Sequence, residues 1–220
     1  MINTIIFGST GMVGEGVLHI CLNDERVNKV LVINRKSCDI VHPKLEEIIL
    51  TDFNDIESIS DKLSNYNACY YCMGVSSVGM PLEKYKNITY NLTLKIGKLL
   101  RDINDDMTFC YVSGEGTDET EKNRAKWANI KGKTENDLAK LGFKSTYMFR
   151  PGYIHPIKGL KNTHKFYKFL VPIYPLLKIL FNKHMCTLEE LGNSMIYVTS
   201  NKTDNKILNN LYIKELGNKI

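Results

Sequence analysis

Tryptophan appears once in the 220 residues and proline six times, and no stretch concentrates glycine, serine or proline as a linker between domains would. Runs of like charge are missing too. The 29 basic and 24 acidic side chains leave a net charge of +5, with the lysines dispersed along the chain. Such a pattern reads as a solvated surface, and no nucleic-acid partner is expected. Nor is there an apolar run of the roughly 20 residues needed to cross a membrane. The longest, Phe169 to Phe181, is interrupted by Pro172, Pro175 and Lys178. The opening residues run directly into a strand-like segment, Ile2 to Phe7, with no charged region leading an apolar one. That opening predicts a cytoplasmic protein whose cysteines at 21, 38, 69, 72, 110 and 186 are reduced. Cys69-Tyr-Tyr-Cys72 has no second cysteine or histidine pair at zinc spacing. On a strand its two thiols would also point to opposite faces, so no metal is implied. His19, His42, His164 and His184 are scattered and read as surface or packing residues.

Hydrophobic residues make up 43% of the chain, enough for one sizeable core. They fall into alternating short apolar runs and helical patterns. Strands are expected at Ile2–Phe7, Lys29–Ile33, Leu45–Leu50, Ala68–Cys72, Met107–Ser113 and Ser145–Phe149. Their weak alternation suits strands covered on both faces. Between them, Tyr85, Ile88, Leu92, Ile96 and Leu99 mark a helix from about Pro81 to Leu100. A second helix should run from about Ala125 to Leu141 and stop at Gly142. Asp55 is placed as the cap of a short helix ending near Leu63, and residues 36–44 are too few for a helix. Thr187-Leu-Glu-Glu190 reads as a capping box opening a helix to about Thr199. Repeated strand-then-helix units predict an α/β fold, a doubly wound parallel sheet in three α/β/α layers. Residues 1–220 are read as one domain, in which 151–220 contribute a small lid or substrate region. The apolar run within 164–184 is assigned to that lid, with a membrane-surface or homodimer contact as alternatives.

Gly8-Ser9-Thr10-Gly11-Met12-Val13-Gly14 stands directly between the first strand and the first helix, where a dinucleotide-binding turn belongs. The glycines allow the turn, let backbone approach a pyrophosphate, and bring helix close to strand. The pyrophosphate would rest on unpaired N–H groups at the helix start. The second strand ends at Asn34-Arg35-Lys36. An NAD-selective site would place an acidic residue there, whereas Arg35 and Lys36 suit the 2′-phosphate of NADP. NADP is therefore expected in preference to NAD.

These residues resemble the short-chain dehydrogenase/reductase superfamily, in its atypical branch. The resemblance extends to Asp52-Phe53 after the third strand, where the family sets an aspartate against adenine. It takes in Cys72-Met73-Gly74 after the fourth strand, beside the cofactor ribose, and Ser113 at the catalytic-serine position. Lys131-Gly132 with Glu135, and Arg150-Pro151-Gly152 after the sixth strand, complete it. Within the branch the chain looks most like the Tat-interacting oxidoreductase-like group and bacterial proteins labelled as nucleoside-diphosphate-sugar epimerases. Its ending, Leu208 to Gly217, is similar to that group as well.

The resemblance implies a tyrosine four residues before the lysine, as proton donor to a substrate oxygen. Here the segment reads Trp127-Ala-Asn-Ile-Lys131, and an indole N–H is no usable acid near neutral pH. Tyr174 to Lys178 matches the spacing but contains Pro175 and is taken as chance. Two readings follow. In one, an NADPH-dependent reductase or epimerase-like enzyme keeps Ser113 and Lys131 as catalytic residues, with Tyr153, His155 or a water relaying the proton to a small carbonyl or sugar-nucleotide substrate. In the other, the protein is a sensor that binds the dinucleotide without turnover.

Overall fold

The first strand already sets the layering. In β1 (Ile2–Phe7), Ile2 and Ile6 point to one face of the sheet and Ile5 and Phe7 to the other, and all four are buried. A strand sealed on both sides needs helices above and below it. The computed structural model, which describes residues 1–163 and 174–219, supplies them.

Seven parallel strands lie in the order β3-β2-β1-β4-β5-β6-β9. They are β1, β2 (Val27–Asn34), β3 (Leu45–Ile49), β4 (Ala68–Tyr71), β5 (Thr108–Val112), β6 (Ser145–Arg150) and β9 (Ile207–Asn209). The six strands expected from the sequence are all present, and the seventh escaped notice because only Leu208 of its three residues is buried. A separate parallel pair joins β7 (Tyr153–His155) to β8 (Met185–Thr187).

One face carries α1 (Met12–Asn23), α6 (Leu188–Ser200) and α7 (Asn210–Gly217), packed through Val17, Leu18, Leu191, Met195 and Ile213. Gly16 lets α1 and α6 meet closely, since a Cβ there would overlap the Leu188 side chain. The other face carries a 3-10 segment (Phe53–Lys62), α3 (Leu92–Ile103) and α4 (Lys126–Ala139). Beneath them runs an aromatic chain in which Tyr71 lies 5.5 Å from Phe7 and 6.0 Å from Phe109. Burying such rings on both faces is the main source of stability in this architecture.

Several local expectations needed adjustment. The helix expected as one piece from Pro81 is α2 (Leu82–Lys86), a π turn (Asn87–Asn91) and α3, with Pro81 just outside as the cap residue. Asp52 rather than Asp55 caps the segment before Leu63, accepting from the Asn54 N–H at 2.8 Å, and that segment is 3-10 rather than α. Gly142 adopts the left-handed conformation (φ +83) but lies two residues beyond the Lys140 cap of α4. The capping box forms as expected: Thr187 Oγ1 accepts from the Glu190 N–H at 3.0 Å and Glu190 Oε2 from the Thr187 N–H at 2.7 Å. Cys69 and Cys72 do belong to opposite faces of the sheet. The lid assigned within 164–184 lies outside the described residues over 164–173; the remainder forms α5 (Tyr174–Leu180) and a 3-10 turn (Asn182–His184). No helix among the described residues is long and apolar enough to cross a membrane.

Candidate cofactor-binding and active site

Strand order reverses between β1 and β4, and their carboxyl ends open the crevice where α/β proteins place ligands. Gly8 follows β1 with φ +85, and a Cβ there would come within 2.8 Å of the Met73 nitrogen after β4. The Gly11 N–H closes the turn on the Gly8 carbonyl at 3.0 Å. A Cβ on Gly14 would overlap that same carbonyl, so Gly8 and Gly14 are demanded by the protein's own packing. Gly11 differs. It is exposed, it is the N-cap of α1 with no side-chain cap bond, and its Cβ would meet only Gly8 O, at 3.4 Å. Helix N–H groups left unmatched by side chains, with the positive end of the dipole behind them, favour an anion.

Ser9 is buried, and its Oγ donates to Asn34 Oδ1 at 2.9 Å. Asn34 Nδ2 passes the chain of bonds to Glu47 Oε1 at 2.8 Å, and Glu47 also accepts from Ser37 Oγ and the Cys38 N–H, each at 2.8 Å. Burial opposes ionisation of Glu47, but these hydrogen bonds outweigh it and hold its carboxyl below the usual range. Glu47 thus fixes the loop carrying Arg35 and Lys36. Those two line a cavity of about 560 Å³ with Thr10, Ser37, Asp39 and Lys161.

The remaining cofactor-side residues are placed unevenly. Asp52 is exposed, and its Oδ1 is engaged by the Asn54 N–H. Phe53 is a core residue 6.1 Å from Phe7. Met12 is buried and Val13 half-buried, packed into α1's own face of the core. The Cys72 N–H donates to Phe7 O at 3.0 Å, while burial pushes its thiol up to about 12. Gly74 is exposed with open space where a Cβ would stand.

A second cavity, also about 560 Å³, is lined by Ser113, Glu115, Trp127, Lys131, Tyr153 and His184 among others. β5 delivers Ser113, α4 delivers Trp127 and Lys131 one turn apart, and the Arg150-Pro151-Gly152 turn leads into Tyr153. Lys131 Nζ donates to the Ser113 carbonyl. Burial lowers the pKa of Lys131 to about 8, with Glu135 pulling the other way. The Ser113 hydroxyl donates to Glu135 Oε1 at 2.5 Å. Glu135 is in turn gripped by Arg150, whose Nε lies 3.0 Å from Oε1, and Arg150 Nη1 reaches Glu119 at 2.7 Å. Arg150 is therefore committed to two carboxylates. Pro151 O accepts from the Glu115 N–H at 2.8 Å, and the Gly152 N–H donates to Asn210 Oδ1 at 3.0 Å. The turn is knit into the wall.

Trp127 is half-buried over Gly116, where a Cβ would stand 3.1 Å from the indole. Of the relay candidates, Tyr153 lines this cavity and His155 does not; His155 stacks on Tyr174 at 3.7 Å. Burial lowers the pKa of His155 and raises that of Tyr153. Sequence reasoning set His184 aside. In the structure its Nδ1 lies 2.5 Å from Glu115 Oε1, on the cavity rim. Their separation of 69 residues left no local signal.

No protein-family model matches the chain. Among solved structures, a short-chain dehydrogenase from Burkholderia cenocepacia in complex with NADP superposes with a TM-score of 0.68 at 12% identity, over 99% of this chain and 91% of that one. A UDP-N-acetylglucosamine 4-epimerase from Methanobrevibacter ruminantium gives 0.68 at 15% identity, over 94% and 76%. The chain shares the parallel-sheet α/β fold of these two proteins. In sequence, the mitochondrial protein FMP52 of Debaryomyces hansenii is 26% identical over 152 residues, 68% of this chain and 66% of that protein. A leucinostatins biosynthesis cluster protein of Purpureocillium lilacinum is 27% identical over 62% of this chain. The chain thus spans about two-thirds of the first relative's length and 51% of the second's. The expectation of a cytoplasmic protein is contradicted here: several of the relatives are named as mitochondrial proteins.

Proposed function

We propose that the chain binds NADP(H) along the β1–β4 crevice and acts as an oxidoreductase or epimerase-like enzyme on a small carbonyl or sugar-nucleotide substrate. The observation that carries this reading is Gly11. It is the one glycine of the turn whose added Cβ would make no overlap, meeting only Gly8 O at 3.4 Å. Its neighbour Thr10 lines the cavity that bears Arg35 and Lys36. The fold is shared with a dehydrogenase described in complex with NADP, with WbmF of Bordetella bronchiseptica described with NAD+, and with an epimerase described with a UDP-sugar ligand.

In this assignment the backbone around Gly11 and the head of α1 take the pyrophosphate, and Arg35 and Lys36 take the 2′-phosphate. Asp52 and Gly74 border the adenosine half. When bound, the nicotinamide supplies or accepts hydride. Lys131 and Ser113 are the residues placed at that chemistry, Lys131 to hold the ribose and keep positive charge beside the substrate oxygen. The Ser113 hydroxyl directs its proton to Glu135, so its lone pairs can accept from a substrate or product hydroxyl. Tyr153 and His184, which line the same cleft, are assigned to move the proton in place of the missing tyrosine. Trp127 favours a second reading, in which the dinucleotide is held without turnover.

Calorimetric titration with NADPH and NADH tests the cofactor assignment. NADPH should bind more tightly, and Arg35→Glu should weaken NADPH far more than NADH; equal loss of both refutes the role given to Arg35. NADPH oxidation across a panel of carbonyl compounds separates the two functional readings. Tight binding with no accelerated oxidation selects the sensor.

A further inference from the structure

The first turn of α1 carries an acidic residue where the cofactor reading wants positive potential. Glu15 directly follows Gly14 and is buried, at 4% exposure. A carboxylate in that position is costly unless hydrogen-bonded. Its partners come from far along the chain: Oε1 accepts from the Lys161 N–H at 2.8 Å and Oε2 from the Asn162 N–H at 2.7 Å. Two bonds from consecutive amides to one carboxylate fix both the position and the direction of that short stretch of backbone. The consequence is local. Lys161 and Asn162 become walls of the cavity that also holds Thr10, Arg35 and Lys36. Among the described residues Asp39, with φ +55, is the single acid in that lining, against three cations.

We propose that Lys161 is a specificity-determining residue for the cofactor, a third cation on the 2′-phosphate, and that Glu15 is the positioning residue that holds it there. The inference rests on the NADP(H) reading above. It adds that phosphate recognition is shared between the loop after β2 and a segment beyond β7. Glu15 acts through backbone amides, so its charge is spent on the Lys161–Asn162 segment and does not face the dinucleotide.

Equilibrium binding of NADPH and NADH by calorimetry, on the full chain, tests the assignment without any turnover. Lys161 is exposed, so Lys161→Ala is expected to fold normally. It should weaken NADPH about tenfold, the loss of one charge-assisted contact, and leave NADH within about twofold. Glu15→Gln retains one acceptor oxygen, and it should lower the NADPH-to-NADH affinity ratio in the same direction. A merely structural role for Glu15 would lower both affinities together. Lys158→Ala, in the same segment but outside this cavity, should leave the ratio unchanged. Full NADPH preference retained in Lys161→Ala overturns the proposal. If the unaltered chain shows no preference and Arg35→Glu changes nothing, the NADP reading has failed and Lys161 falls with it.

Discussion

At pH 8 the amine of Lys131 should be about half deprotonated, because burial holds its pKa at about 8 against an ordinary 10.5. A lysine at the ordinary value would be only roughly 0.3% free amine at that pH, a difference on the order of 150-fold. Competitive acylation followed across the neutral-to-alkaline range, with peptide mass spectrometry, reads this directly. The midpoint of each lysine's reactivity profile is independent of how accessible the amine is, so partial burial of Lys131 lowers its rate without moving its midpoint. The Lys131 profile should turn over near pH 8. Glu135 opposes the shift, so Glu135→Gln should move the midpoint lower still. The same displacement has a consequence for stability. Between about pH 8 and 10.5 the unfolded chain binds more protons at this residue than the folded one, so stability gains from Lys131 as pH rises through that window. The gain is at most about 1.4 kcal/mol per pH unit, less once solvent screening is counted. Lys131→Met should abolish that slope. A reactivity midpoint near 10 would refute the account, because the cleft would then be wet enough to solvate a full charge.

Gly11→Ala should leave stability within about 0.5 kcal/mol, since the added Cβ meets only one atom at 3.4 Å, yet strongly weaken dinucleotide binding; denaturant melts and calorimetry on one preparation check both halves. Gly14→Ala should instead cost about 1–3 kcal/mol by overlap with Gly8, visible as a lower denaturation midpoint with or without ligand. Arg150→Met leaves Glu135 buried and without its cation, at 3% side-chain exposure, and should cost about 3–5 kcal/mol in the same melts. Should a carbonyl substrate be found, Tyr153→Phe or His184→Asn should reduce its turnover by about 10²–10⁴-fold with cofactor affinity kept, and the variant that does so identifies the proton carrier.

Much of this protein was legible from its residues because the decisive signals are local. A parallel strand buried on both faces must be continuously apolar, and a strand-to-helix turn that packs as tightly as Gly8 against Gly14 must lack side chains; both leave marks within a few residues. The glycine turn and the capping box at Thr187 are of this kind. Tertiary structure alone decided the pairings that span the chain. Glu15 meets Lys161, Ser113 meets Glu135, and Glu115 meets His184, across 146, 22 and 69 residues respectively. No periodicity encodes such encounters. They arise because parallel crossovers return each strand's carboxyl end to the same edge of the sheet, where side chains remote in sequence must satisfy one another's charge.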